Sequence, residues 1–354
     1  MSVQRLSSAS LSSLSTRALA PGYDTRDCRT GIVHLGLGGF HRAHQAAYID
    51  AALEAGEHQW AISGWSLRRG DMHSALAPQD GLYTLITRDS QSSTARIMAP
   101  IREVGFAPGT PDALLDRIAC PDTRIVSLTI TEKGYALAAD GALDASETDV
   151  AADLAGAWPP RSALGWLAAG LAARRERAPG AALTLLSCDN LSGNGDALAR
   201  VLDEFLRRTG RATVADWLRS MASFPNSMVD RIVPATTSED RALAESLTGL
   251  RDEWPVTTEP FRQWVIEDRF AGGRPQLEIH GVQFSDRVRD WEDMKLRLLN
   301  AAHSSIAYLG LLAGIPTVAD AVEEPLIAGF VEKLWRGEAI PTLPEAMQAL
   351  APAY

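Results

Sequence analysis

Cysteine is scarce in this chain: three residues in 354, Cys28, Cys120 and Cys188, odd in number and far apart. Such a set builds neither a disulfide framework nor a CxxC metal pair, and it favours a reducing compartment, the cytoplasm. Long apolar runs are missing too. No stretch approaches the ~18 apolar residues of a membrane span, so a membrane is not expected as a partner. Long basic runs are absent from a chain whose formal net charge is −10, which argues against nucleic acid. Clustered Cys and His ligands are lacking as well, so no metal site is expected.

What remains is an ordinary globular composition, 46% hydrophobic and 22% charged, in a chain long enough for about two domains. The Ser-rich start, MSVQRLSSASLSSLSTRAL, superficially resembles a transit peptide but has no apolar centre. A short lead-in helix over residues 1–21 is the preferred reading, with Leu6, Leu11, Leu14 and Leu19 on its apolar side.

After Pro21-Gly22 the pattern changes. Gly31 to Leu37 is a short apolar run that predicts a buried strand, Gly36 to Gly39 a tight turn, Arg42 to Ala55 a helix, and Trp60 to Leu67 a second strand. In such a βαβ unit the glycine turn is where a dinucleotide pyrophosphate can meet backbone N–H groups at a helix start. The match to GxGxxG is incomplete. Gly36 and Gly38 fit, but His41 holds the third position, and the second strand ends in Ser66-Leu67-Arg68-Arg69 with no acid for a ribose. Gly39, Phe40, Arg42 and Arg68 join the glycines as candidate cofactor contacts. The arginines suit a 2′-phosphate or adenine stacking, so NAD against NADP stays open. His41 and His44 lack a third ligand nearby and are expected to pack or bond locally.

Farther along, GLYTLITRD and ARIMAPIREVGF predict antiparallel strands inserted in the nucleotide domain. Pro111 to Ala119 reads as a helix and Ile125 to Ile130 as a buried strand. The TEKGY that follows lies where strand ends open onto ligands; its Lys133 suits a phosphate contact or plain surface charge. Ser162 to Ala178 predicts an amphipathic helix with Trp166 in the core. The strand Ala182 to Ser187 ends in CDNLSGNGD, which places Asn190 and Asn194 at another strand terminus, where an amide can polarise a carbonyl. In FPNSMVDRIVPAT the adjacent Asp230 and Arg231 are costly to bury unpaired; they neutralise one another or Asp230 accepts from substrate hydroxyls. LEIHGVQFSDRV predicts a last strand.

Trp291 to Ser304 reads as a helix carrying Lys295, Asn300 and His303. At about 100° per residue these lie at roughly 0°, 140° and 80° around its axis, so an amine, an amide and an imidazole can share a face. That set suits proton transfer to and from an oxygen.

The blocks GIVHLGLGGFHRAHQA, LTITEKGY, LLSCDNLSGNG, FPNSMVDRIVP, TEPFRQWVIEDRF and KLRLLNAAHSSIAYLG, in this order, resemble the mannitol 2-dehydrogenase and fructuronate reductase family of polyol-specific dehydrogenases. The resemblance covers essentially the whole chain. It implies an α/β fold: a Rossmann-type doubly wound sheet domain over residues 22–285, then a mostly helical domain from 286 to 354. It also implies NAD as cofactor, a polyol or keto-sugar substrate, a monomer, and metal-independent hydride transfer. The lysine of the KxxxxNxxH pattern is the family's general acid/base, which carries to Lys295, with Asn300 and His303 beside it. The family's second oxyanion asparagine carries to Asn190, the aspartate of the VDR signature to Asp230 as a substrate contact, and the acid three residues before the lysine to Glu292 on a proton path. Lys295 must be neutral to accept a hydroxyl proton, and desolvation favours the neutral amine. The chain ends at Tyr354, short of the usual family length, so the helical domain is expected to be incomplete. A catalytically impaired nucleotide-binding protein is the alternative; a zinc-dependent alcohol dehydrogenase is a distant third.

Overall fold

In the computed structural model, which describes residues 3–89 and 91–353, successive residues of one strand enter opposite cores. Within β2 (Thr30–Leu35), Ile32 joins one apolar cluster while Val33 and Leu35 join another. The same split divides Ile125 from Val126 in β7 (Ile125–Leu128) and Leu186 from Leu185 in β8 (Leu183–Ser187). Strands buried on both faces in this way require a parallel sheet covered by helices on each side. The sheet is built accordingly: β6 (Ile101–Phe106), β3 (Ala61–Ser66), β2, β7, β8 and β9 (Ala222–Ser223) bond in that order, every neighbouring pair parallel.

One face is covered by α2 (Gln45–Glu54) through Ala46, Ile49 and Leu53. The other is covered by α4 (Pro111–Ala119), α6 (Ala163–Arg177) and α7 (Asn194–Arg208) through Leu114, Trp166 and Leu202. Chain order reverses beside β2, with β3 on one side and β7 on the other, and at such a switch point the carboxyl ends of strands leave a crevice. The remaining helices of this unit are α1 (Gly39–Ala43), α3 (Asp71–Leu76), α5 (Thr148–Leu154), α8 (Ala212–Met221) and α9 (Ser238–Thr248).

Several expectations need correction. The helix expected over Arg42 to Ala55 starts at Gly39 and breaks at His44, whose φ is −107° and ψ −86°. The carbonyls that close α1 are taken by side chains from distant segments: the Tyr83 hydroxyl donates to Arg42 O at 2.6 Å, and the Arg231 guanidinium donates to Ala43 O. The stretch ARIMAPIREVGF serves two sheets. Its first half is β5 (Ser93–Met98), antiparallel to β4 (Tyr83–Arg88) in a sheet of order β1 (Ala18–Leu19), β5, β4, β11 (Val256–Thr258). Its second half is β6 of the main sheet, the two being separated at Pro100, which has no N–H for a ladder. The expected amphipathic helix α6 is buried on most sides, Arg174 included; that guanidinium donates to the Ile118 and Cys120 carbonyls, both at 2.8 Å. LEIHGVQFSDRV is a 3₁₀ turn, Leu277–His280, and a two-residue strand, β13 (Gln283–Phe284). With β10 (Ser227–Asp230) and β12 (Gln263–Ile266) it forms a third sheet. In the lead-in segment Ser8–Ser13 is a 3₁₀ helix; Leu6 is buried and Leu19 exposed.

The chain divides into two compact units, Met1–Phe284 and Ser285–Tyr354. The second is helical: α10 (Val288–Met294), a π-helical turn at Lys295–Asn300, α11 (Ala301–Ala313), α12 (Val318–Glu323), α13 (Pro325–Leu334) and α14 (Glu345–Leu350). Met294, Leu298, Leu343 and Met347 pack in one small core, and Ala302, Ile306, Ile327 and Val331 in another. Among the described residues no helix is long and apolar enough to cross a membrane.

Candidate active site

The crevice at the switch point has a volume of about 560 Å³ and is lined from the ends of three parallel strands. Gly36, Leu37 and Gly38 follow β2; Ser66 ends β3 and Leu67 to Arg69 follow it; Thr129 to Thr131 follow β7, with Lys133 and Gly134 beyond. Glycine is required at residue 36 on two grounds. Its φ is +98°, and a Cβ there would lie 2.1 Å from the Thr129 carbonyl oxygen. Gly38 differs: its backbone is extended, with φ −130°, and a Cβ would meet nothing closer than Gly36 O at 3.6 Å. The protein itself leaves space there, as expected where a ligand comes close to backbone.

A buried polar chain holds the turn. Thr129 Oγ1 donates to Gly36 O at 2.9 Å, so it accepts from His34 Nε2, also at 2.9 Å. That fixes the His34 tautomer and leaves Nδ1 to accept from the Ser127 hydroxyl at 2.9 Å. Burial pushes His34 down to about 3, and His41, stacked on it with ring centroids 3.4 Å apart, is also pushed well down by burial and by the neighbouring imidazole. Both rings are therefore neutral near pH 7. His44 Nε2–H donates to Gln263 O at 2.7 Å, since a carbonyl can only accept. Among the described residues no three His, Cys, Asp or Glu side chains gather as metal ligands.

The third wall is strained. Thr131 has φ +66° and ψ 160°, a region that β-branched residues avoid. The Asp189 carboxylate, at the end of β8, accepts from Thr131 N at 2.8 Å, Ile130 N at 3.0 Å and the Tyr135 hydroxyl at 2.7 Å. Burial raises the Asp189 carboxyl, its hydrogen bonds opposing, and burial with the adjacent carboxylate raises the Tyr135 phenol, which stays a donor.

In the second unit, Lys295 and Asn300 bound the π-helical turn, where Ala301 N bonds to Leu296 O five residues back. The wider turn brings residues five apart onto neighbouring positions, closer than the 140° of a regular helix, and such turns occur often at functional sites. Lys295 and Glu292 are buried, Asn300 is half-buried and His303 is exposed.

Two family models match: residues 30–279 as the mannitol dehydrogenase Rossmann domain and residues 287–354 as the mannitol dehydrogenase C-terminal domain. The chain belongs to the mannitol dehydrogenase family. Mannitol 2-dehydrogenase of Pyrenophora tritici-repentis is 44% identical over 348 residues, 96% of this chain and 61% of that protein. That of Cereibacter sphaeroides is 45% identical over 339 residues, 94% of this chain and 70% of its own length. Pseudomonas fluorescens mannitol 2-dehydrogenase, solved as a ternary complex with NAD and D-mannitol, superposes with a TM-score of 0.87 at 38% identity, covering 99% of this chain and 73% of that one. A substrate-free D-sorbitol dehydrogenase gives 0.90 at 37% identity, covering 99% and 74%. The chain thus spans about three fifths of the length of the first of these relatives.

In this member of the mannitol dehydrogenase family, Gly36, Gly38 and Arg68 share the crevice. Arg42, expected among the cofactor contacts, is fully buried instead; it donates to Trp254 O and lies 5.2 Å over the Tyr83 ring. Gly39 and Phe40 open α1, and Phe40 stacks on His44 at 5.1 Å rather than lining the crevice wall. Asn190 is exposed just after β8, while Asp230 is half-buried at the end of β10. Asn194 is wholly buried, its amide bonded to Asp189 O at 3.0 Å and Ser227 O at 2.8 Å, and so joins the β8 end to β10 rather than facing a ligand. Arg231 donates to backbone carbonyls of Ala43 and Glu259, which makes it a support for α1. Sequence reasoning passed over Asp189, Thr129 and Ser66. Asp189 alone carried a signal, a carboxylate directly after a buried apolar strand.

Proposed function

We propose that this chain binds a nicotinamide dinucleotide in the crevice and takes part in hydride transfer between it and a sugar alcohol or the matching keto-sugar, with Lys295 as general acid/base. The observation that carries the reading is the crevice itself. Its glycine turn cannot hold a side chain at residue 36, it leaves room at residue 38, and it lies at the switch point of a parallel sheet. The Pseudomonas relative, which binds NAD and D-mannitol, supports NAD(H) and a polyol as the ligand classes. Bound there, the nicotinamide supplies the hydride acceptor or donor.

The chain's own residues do the rest. Gly36 to Gly38 offer backbone to the phosphates, and Thr129 with His34 keeps that turn in place. The Lys295 amine takes the hydroxyl proton during oxidation and returns it to the ketone oxygen during reduction. Asn300 and Asn190 donate to the oxygen as its charge develops, Asp230 accepts from substrate hydroxyls, and Glu292 passes the proton onward. His303, eight residues past Lys295, joins the asparagines in hydrogen-bonding around the reacting oxygen.

The test is a panel of NADH or NAD with fructose, mannitol, fructuronate and mannonate, followed by nicotinamide absorbance. Turnover of a polyol or keto-sugar pair supports the reading. Dinucleotide binding without turnover of any pair favours a nucleotide-binding protein without catalysis, and absence of binding overturns the reading altogether.

A further inference from the structure

The adenosine end of the crevice is not built like a site that selects against a 2′-phosphate. In dinucleotide crevices an acid near the end of the second strand accepts from both ribose hydroxyls and repels a phosphate there, whereas an arginine accommodates it. Here β3 ends in Ser66, whose hydroxyl is buried, lines the crevice and has no hydrogen-bond partner. A buried hydroxyl left unpaired in this way is costly, and a ligand oxygen would satisfy it.

Arg68 and Arg69 follow on the same wall, with side chains 68% and 85% exposed. Arg68 reaches Asp149 at 3.1 Å, and Arg69 reaches Asp71 through Nε at 3.4 Å. Exposed pairs of this kind contribute little and are readily exchanged for a stronger anion. The carboxylates close by do not cancel the arginines. Lys133 and Arg161 also line the crevice, so four cationic side chains stand against three carboxylates, Asp71 and Glu147 on the lining and Asp149 beside Arg68. Glu147 is already committed, accepting from Asp149 N and Val150 N at the start of α5. This local excess of positive charge lies on a chain of net charge −10.

We propose that the crevice accepts a 2′-phosphorylated adenosine ribose, so that the protein binds NADP(H) as well as NAD(H), with Arg68 and Arg69 as counter-charge and the Ser66 hydroxyl as a donor. The inference rests on the dinucleotide reading above. A phosphate dianion gains charge-assisted bonds from the two guanidinium groups, while NAD(H), lacking the phosphate, finds the same glycine turn.

The experiment is a fluorescence titration of the full chain with NADPH and with NADH at one ionic strength, backed by competition with adenosine 2′-monophosphate against adenosine 5′-monophosphate. The two Kd values are expected within about tenfold of each other, ~1.4 kcal/mol. The double substitution Arg68→Ala, Arg69→Ala is expected to raise the NADPH Kd relative to that of NADH by more than about tenfold, with thermal unfolding showing that these exposed positions leave the fold intact. NADPH binding more than about tenfold weaker than NADH in the unsubstituted chain, or a ratio unmoved by the double substitution, overturns the proposal while leaving the dinucleotide reading standing. Binding of neither nucleotide overturns both.

Discussion

Asp189 Oδ1 accepts the backbone N–H of Thr131 at 2.8 Å, and that threonine holds a φ of +66°. The carboxylate thus clamps a strained residue on the wall of the crevice, at the end of β7, from the neighbouring strand β8. Replacing Asp189 by Ala leaves the Ile130 and Thr131 backbone donors unanswered and the Tyr135 hydroxyl with only Ser187 Oγ as partner, and is expected to cost about 2–3 kcal/mol. Thr131→Gly relieves the strain and is expected to be neutral or stabilising by up to ~1 kcal/mol. Urea unfolding checks both, and a Thr131→Gly chain less stable than its parent by more than ~1 kcal/mol would show the strain account to be wrong.

The two glycines of the turn separate a folding requirement from a binding one. Gly36→Ala drives a Cβ toward the Thr129 carbonyl and forces φ away from +98°. It is expected to lower stability by more than ~2 kcal/mol together with nucleotide affinity. Gly38→Ala meets only an ordinary contact within the protein, Gly36 O at 3.6 Å, so its thermal unfolding should match the parent while dinucleotide affinity falls by about tenfold or more. Unchanged affinity in Gly38→Ala would remove the turn from the binding site.

Acid should destabilise the first unit through the stacked histidines. Folded His34 sits near 3 against an ordinary value of 6.5, and His41 is lowered in the same direction. As pH falls below 6.5 the unfolded chain binds protons that the folded rings refuse, so the His34 contribution to stability is fully present above 6.5 and is lost progressively toward 3, and the His41 contribution is lost in the same direction. Each ring adds at most ~1.4 kcal/mol per pH unit to that slope. His34→Gln should flatten the decline of unfolding free energy with falling pH; parallel declines in the two proteins would refute neutral burial as its source.

Short-range features of the fold are readable from the sequence, and long-range ones are not. The helix Pro111–Ala119 matches its expected bounds because proline starts it and its apolar spacing is regular. Buried strands such as Ile125–Leu128 announce themselves by their apolar runs. The break at His44 has no local signal, since Tyr83 and Arg231 arrive from far along the chain to take the carbonyls of α1. Arg42 follows the glycines closely in the sequence, yet its side chain reaches Trp254 O and the Tyr83 ring, partners from far along the chain. Nor does periodicity at 100° per residue reveal a π turn at Lys295–Asn300, which shifts the relation of the amine to the amide.

Lys295 carries the chemical half of the proposal, and its replacement by Ala is the most direct test. Turnover of the best polyol or keto-sugar pair and the dinucleotide Kd are measured side by side in both proteins. The account predicts that Lys295→Ala lowers turnover by about 100-fold or more while the Kd stays within about threefold of the parent value. Undiminished turnover in Lys295→Ala would contradict it.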